Sequence, residues 1–382
     1  MANPNPPPVI LFGYDSSPFT NKVRLTLRIK GVPFSYMPVP SMMPRPILRQ
    51  TFGLTYRKIP VLAIGRDIYC DTSLIIEALE YNFPVEEGYG SVYPRYGKEG
   101  GFDWNYRGFV RGFASFWVDR PLFRTTTGLI PSSVWRTSFG TDRAQLIGHP
   151  LSPEKLASKI PQNLSSLDTH LSLLEPMFAG RNSGGKGMNT WLLPTPTPSL
   201  ADISLYYQLR WGIDIANGRG IYNLTAGGTG DEGQGGKGKV DITASVFNAQ
   251  RYPGIWTWFQ AFESYVEGLS DLETAITTDS AAKSHPWKDN LKSYPLPPEH
   301  AMLVPTPAGP NEQLDSQRGL ERGTRVSVAP DDTGRADPTV GVLVGSGVEE
   351  VVVLPEEKGE LECRVHFPRV GFVVKTVDRG NL

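Results

Sequence analysis

Cysteine is nearly absent from this chain: 382 residues hold only Cys70 and Cys363. Two thiols so far apart build no disulfide framework, which suits a reducing compartment. No apolar run approaches the roughly 18 residues of a membrane span. Neither sign of charge is in excess, with 38 basic against 39 acidic residues, so nothing marks a nucleic-acid or anionic-membrane surface. The histidines (His149, His170, His285, His300 and His366) show no metal-ligand spacing with one another or with cysteine, and no metal is expected. Met1–Pro8 lacks the basic and apolar regions of a signal peptide. These absences point to a cytoplasmic protein with no membrane or nucleic-acid partner. There is no nucleophile elbow and no internal repeat. Gly233–Val240 nearly matches a phosphate-binding loop, but Val240 stands where a Ser or Thr would hold magnesium and no strand precedes it. It reads as a flexible loop.

Glycine and proline are abundant, with 40 and 34 residues, so long irregular segments are expected. The length suits two or three domains. Residues 9–14 read as a buried strand. Ser17-Pro18 then reads as a helix start, with Ser as cap and Pro in the first turn. Phe19, Val23 and Leu27 fall on one helical face, and Gly31 closes the helix. Phe34–Val39 is a second strand, and Ile47–Phe52 a short helix. Val61–Ile64 and Ile68–Cys70 flank a Gly-Arg-Asp turn as a hairpin. Asp71 or Thr72 caps a helix through Leu79. This βαβ, helix, ββα order predicts an α/β sandwich over residues 1–85.

Residues 86–101 read as a linker, and residues 95–280 as an all-α domain. Its helices fall at Asn105–Phe123, Glu154–Phe178, Ser199–Trp211 and Gly254–Leu269. Residues 283–315 are Pro-rich without periodicity and read as a second linker. Residues 320–378 hold short alternating valine-rich runs between turn signals, which predicts a small all-β module of the SH3-like barrel kind.

Three stretches carry the chemistry: Tyr14-Asp15-Ser16-Ser17-Pro18-Phe19, then Lys58-Ile59-Pro60-Val61-Leu62, then Asp71-Thr72-Ser73-Leu74-Ile75-Ile76. Their order and spacing resemble the N-terminal, thioredoxin-like domain of the glutathione S-transferase superfamily. The resemblance covers residues 9–82 well and 155–270 loosely, and some fungal members look similar in carrying an appended β module. It implies that glutathione is a cosubstrate. Ser17, at a helix N-terminus, would stabilise its thiolate, with Ser16 and Tyr14 as alternates. Serine here matches the zeta class, where the omega class has cysteine. That favours conjugation or isomerisation over mixed-disulfide chemistry. Ile59 would bind by main chain beside a cis-Pro60, and Asp71 and Thr72 would hold the γ-glutamyl ammonium and carboxylate. The glycyl carboxylate needs a cation; Arg45 and Arg49 are ranked ahead of Arg57 and Lys58. Each residue also has a plain reading, as a helix cap, an ordinary strand-start proline or a solvated charge.

Ser199 and Asp202 form a capping box at a buried helix, and Pro198–Ile203 resembles a hallmark of the superfamily's helical domain. An aromatic group, Phe102, Trp104, Tyr106, Phe109 and Phe113, is expected to line a cleft for an apolar, aromatic electrophile. The leading expectation is a transferase-like enzyme, a homodimer by family habit. The alternative is an inactive scaffold of the same fold, and contacts between residues 320–378 and the aromatic group would mark the β module as a lid.

Overall fold

The computed structural model describes residues 6–95, 106–178, 190–225, 241–276, 286–296 and 303–378. Strand β1 (Val9–Gly13) is apolar and buried throughout. Ser17 caps helix α1 (Pro18–Lys30), its Oγ accepting from the Thr20 N–H at 3.2 Å, and Gly31 ends the helix at φ 72°. The Thr20 side chain fills the space where a Cβ on Gly13 would stand, its Oγ1 2.5 Å away. The strand end and the helix start therefore meet through a glycine. Strand β2 (Phe34–Pro38) runs parallel to β1. Strand β3 (Val61–Ile64) is antiparallel to β1, and β4 (Asp67–Cys70) to β3. Helix α2 (Pro46–Phe52) lies between β2 and β3, and α3 (Thr72–Asn82) follows β4. This is the thioredoxin-like order read from the sequence.

A helical layer follows. Arg107–Gly112 runs on through Phe113–Leu122, where the winding widens to a π-helix containing Pro121, and into Phe123–Thr127. Val110, Ala114, Val118 and Leu122 recur at every fourth residue and are buried in the helical core. Ser138–Ile147, Ile160–Leu174, Leu200–Ala216 and Pro253–Glu267 are the longer helices beyond it. Leu200–Ala216 opens on the expected capping box. Asp202 accepts from Ser199 N at 2.9 Å and also from Trp258 Nε1 at 2.9 Å, tying two helices together. One ion pair joins this layer to α1: Lys22 Nζ lies 2.7 Å from Asp119 Oδ2, with both side chains largely buried.

The C-terminal strands are β6 (Arg325–Pro330), β7 (Thr339–Ser346), β8 (Glu350–Pro355), β9 (Arg364–Pro368) and β10 (Phe372–Thr376). The sequence predicts a module of their own. The structure instead joins them to the N-terminal sheet, because β9 pairs in parallel with β4. On the far edge a short β5 (Glu273–Ala275) pairs with β2, giving a ten-stranded order β10-β6-β7-β8-β9-β4-β3-β1-β2-β5. An unpaired β4 edge would present a row of bare N–H and C=O groups; β9 covers it. The stretch expected as a linker is also packed where it is described. Helix Pro286–Ser293 buries Trp287 and Leu291, and Trp287 sits edge-on to Phe12 at 5.8 Å.

A buried charge cluster fastens the β4–β9 seam. His366 is fully buried, with Nδ1 2.9 Å from Glu350 Oε2 and Nε2 3.2 Å from Asp67 Oδ1. Arg364 Nε lies 3.0 Å from the same Asp67 oxygen, and Tyr69 stacks on the imidazole at 4.4 Å. Burial opposes the imidazolium, but hydrogen bonds to Asp67 and Glu350 outweigh it and raise the His366 pKa to about 9. Since this lies above the ordinary 6.5, the added stability is complete below that pH and fades as pH climbs through 9. Urea unfolding should lose on the order of 2–3 kcal/mol across that window, and His366→Gln should flatten the dependence. Removing one partner of the Lys22–Asp119 pair strands a buried charge. Asp119→Ala should cost about 3–5 kcal/mol in the same assay, and the double change Lys22→Met with Asp119→Leu should recover much of it.

Candidate functional site

Phe12 of β1 pairs with Val61 of β3, and Val61 with Cys70 of β4. This is the last rung across three adjacent strands. Beyond it the chain leads from β1 into Ser17, back from β3 into Pro60 and Ile59, and from β4 into Asp71 and Thr72. The sheet register therefore gathers three of the sequence motifs at one end.

Each position has a distinct local chemistry. Ser17 is 1% exposed; among the described residues its Oγ accepts one hydrogen bond and its O–H has no acceptor. The Ile59–Pro60 peptide is cis. Neither the N–H nor the C=O of Ile59 has a partner among the described residues. Asp71 is the one non-glycine among them with positive φ, at 71°, a conformation costing roughly 1–3 kcal/mol. Its Oδ1 accepts from Ser73 N at 3.0 Å and from Ser73 Oγ at 2.6 Å, capping α3. Thr72, next in line, has neither its N–H nor its hydroxyl paired among the described residues. It faces the site at a helix N-terminus, where partial positive charge gathers.

The alternates to Ser17 are engaged elsewhere. The Ser16 N–H and hydroxyl both donate to Asn223 Oδ1 at 3.1 Å, and its carbonyl accepts from Trp211 Nε1 at 2.8 Å. Tyr14 packs with Phe123 against the small core around Trp211, and its carbonyl accepts from Ser17 N.

The cations divide sharply. Arg45 is buried and braces its own loop, donating Nε to Pro40 O at 2.7 Å, Nη1 to Arg57 O at 2.5 Å and Nη2 to Ser41 O at 2.9 Å. Burial pulls its pKa down to about 10. Arg49 is exposed and pairs with Glu357 at 2.5 Å, on the side of the C-terminal strands. Arg57 is buried against Asp142 at 2.8 Å. The two arginines ranked first are thus structural ties. Lys58, immediately before Ile59, is the cation placed beside the unpaired main chain.

The described members of the expected aromatic group do not line one cleft. Phe113 is in the helical core, tilted against Trp117 at 5.4 Å, while Phe109 points out at 61% exposed. Tyr106 packs on the same core and donates its hydroxyl to Pro94 O. Phe102 and Trp104 lie outside the described residues. A helix turns one face inward, so aromatics spaced along it part company. The rings near Ser17 are others: Phe19 meets Phe123 at 4.8 Å, and Phe123 meets Trp211 at 5.8 Å. Their only sequence signal is Phe19, two residues past the cap; Phe123 and Trp211 reach it from helices distant in sequence.

The C-terminal turns emerge at this same end of the sheet, because β9 runs parallel to β4. Asp331 N donates to Gly371 O at 2.9 Å, joining the β6–β7 and β9–β10 turns. Asp332 Oδ1 lies 2.5 Å from Lys58 Nζ, and Gly371 lies against the Arg120 guanidinium. Arg111 pairs with Glu349 of the β7–β8 turn at 2.5 Å. Burial, with the Asp71 and Asp332 carboxylates adding to it, pushes the Tyr56 phenol well up. The extension therefore contacts the long helix of the helical layer at Arg111 and Arg120, and it touches the site itself at Lys58.

Residues 11–88 match the family model described as glutathione S-transferase, N-terminal domain. Residues 125–220 match a domain of unknown function, DUF7962. Glutathione S-transferase U4 of Arabidopsis thaliana is 33% identical over 72 residues, which is 19% of this chain and 32% of that protein. The chain thus spans about a third of the length of the curated relatives it matches. A solved GST-like protein from Pseudomonas syringae aligns with 97% of this chain and 99% of its own, at TM-score 0.57 and 24% identity. The structure of rice GST1 in complex with glutathione aligns with 70% of this chain and 92% of its own, at TM-score 0.44 and 17% identity. No helix among the described residues is long and apolar enough to cross a membrane. Residues 11–88 thus match a glutathione S-transferase N-terminal domain, and the chain as a whole shares its fold with a GST-like protein.

Proposed function

We propose that the chain binds glutathione at this sheet end and uses its thiolate against a small, apolar electrophile. One observation carries the reading: Ile59 and Thr72 offer unpaired main-chain and hydroxyl groups at neighbouring positions beyond the last rung. Ile59 is half-buried and Thr72 buried, and free main-chain and hydroxyl groups set side by side at a sheet end match a peptide-like ligand. The cysteinyl backbone pairs with Ile59. The γ-glutamyl carboxylate takes the Thr72 N–H and hydroxyl at the α3 N-terminus, and the Asp71 carboxylate faces its ammonium. The glycyl end then points past Ile59 toward Lys58.

This pose brings the sulfur to the start of α1. The Ser17 hydroxyl, with its proton uncommitted, donates to the thiolate, and the helix N-terminus adds partial positive charge. Both lower the thiol pKa, which makes the site a serine-type one. The thiolate forms a sulfur–carbon bond with the electrophile. In a substitution the leaving group departs with the bonding pair; in an addition the neighbouring carbon takes a proton. Reversal of such an addition after bond rotation gives isomerisation. Phe19, Phe123 and Trp211 offer the second substrate an aromatic wall.

Calorimetry with glutathione tests the assignment. Thr72→Val and Asp71→Asn should each weaken binding about tenfold, as expected for hydrogen bonds to charged groups. Asparagine keeps the α3 cap and tolerates positive φ, so Asp71→Asn isolates the charge. Ser17→Ala should bind within about threefold of the native protein, yet show a raised thiol pKa by thiolate absorbance. Absence of binding by the native protein at millimolar glutathione would contradict the reading and favour an inactive scaffold.

A further inference from the structure

Lys58 stands where the glycyl carboxylate of a bound glutathione would arrive, but this chain already supplies a carboxylate there. Asp332 Oδ1 is 2.5 Å from Lys58 Nζ. An exposed pair on a loose loop would mean little. This turn is held on several sides. Asp331 N donates to Gly371 O at 2.9 Å, and Gly334 N to Leu146 O at 2.9 Å. Thr55 Oγ1 donates to Pro338 O at 2.8 Å, and Arg335 Nε to Asp332 O at 2.8 Å. The turn is thus fixed to the loop before Ile59, to helix Ser138–Ile147 and to the β9–β10 turn. Asp332 meets Lys58 with little further ordering to do. Among the described residues the other arginines around the loop before Ile59 are already engaged: Arg45 with carbonyls, Arg57 and Arg143 with Asp142, Arg49 with Glu357, and Arg335 with the Asp332 carbonyl.

We propose that Asp332 is a specificity-determining residue for the carboxyl end of the thiol ligand, an internal carboxylate that occupies Lys58 and removes the preference for a free glycyl carboxylate. The proposal rests on the glutathione reading above. The γ-glutamyl and cysteinyl contacts then carry recognition. Thiols of the γ-glutamyl-cysteinyl class whose carboxyl end is esterified, amidated or extended bind as well as glutathione itself.

Calorimetry on the full chain with glutathione and with its glycyl ethyl ester separates the possibilities. The native protein should bind the two within about threefold of each other. Asp332→Asn should tighten glutathione about tenfold and leave the ester unchanged, the gain of one charge-assisted contact. Lys58→Met should bind both ligands alike, and combined with Asp332→Asn it should erase the gain. Asp332 is half exposed, so its replacement leaves no buried charge stranded. Native protein that prefers glutathione over the ester by tenfold or more, with the ratio unmoved by Asp332→Asn, would overturn the role of Asp332 and leave the glutathione site standing. No binding of either ligand by native or Asp332→Asn protein would overturn the site and this role together.

Discussion

Parallel pairing of β9 with β4 fixes the end of the sheet at which the C-terminal turns emerge. In a parallel pair both strands point the same way, so the chain leaving β9 appears where the chain leaving β4 enters α3. An antiparallel pairing would have sent the β9–β10 turn to the opposite edge. The buried His366, held between Asp67 and Glu350, supports this pairing with charge as well as backbone bonds. The position of Asp332 over Lys58, the Gly371 contact with Arg120 and the Glu349 tie to Arg111 all follow from it.

The candidate site is mostly main chain, and that explains what was legible. Backbone needs leave marks in sequence: Ser17-Pro18 announces a helix start, Ile59-Pro60 a bend before a strand, and Asp71-Thr72 a cap. Each rests on local geometry, so a few neighbouring residues suffice to read it. The capping box of Ser199 and Asp202 was legible for the same reason. Side-chain roles depend on distant partners and were not. Arg45 and Arg49 looked like ligands because they are basic and near the site, yet carbonyls of the Arg45 loop claim one and Glu357 claims the other. Nothing local in Lys22 signals Asp119. β5 is three residues with no apolar run, and only the open edge of β2 makes it a strand. The helix at Pro286–Ser293 was masked by surrounding prolines, although Trp287 and Leu291 bind it firmly to the sheet core.

The C-terminal extension does more than finish a sheet. Its turns touch the loop before Ile59, the helix Ser138–Ile147 and the long helix at Arg111 and Arg120. A chain ending at the helical layer would leave Lys58 without Asp332 and the β4 edge bare. On the proposed reading, structural and ligand-facing roles meet in this one segment, so changes in residues 331–338 bear on both.

The most direct measurement is a crystal structure with glutathione bound. The proposed site predicts the cysteinyl backbone on Ile59, the γ-glutamyl carboxylate on Thr72 and the sulfur within hydrogen-bond reach of Ser17 Oγ. Glutathione bound away from the Phe12–Val61–Cys70 rung, or with its sulfur turned from the α1 N-terminus, would contradict it.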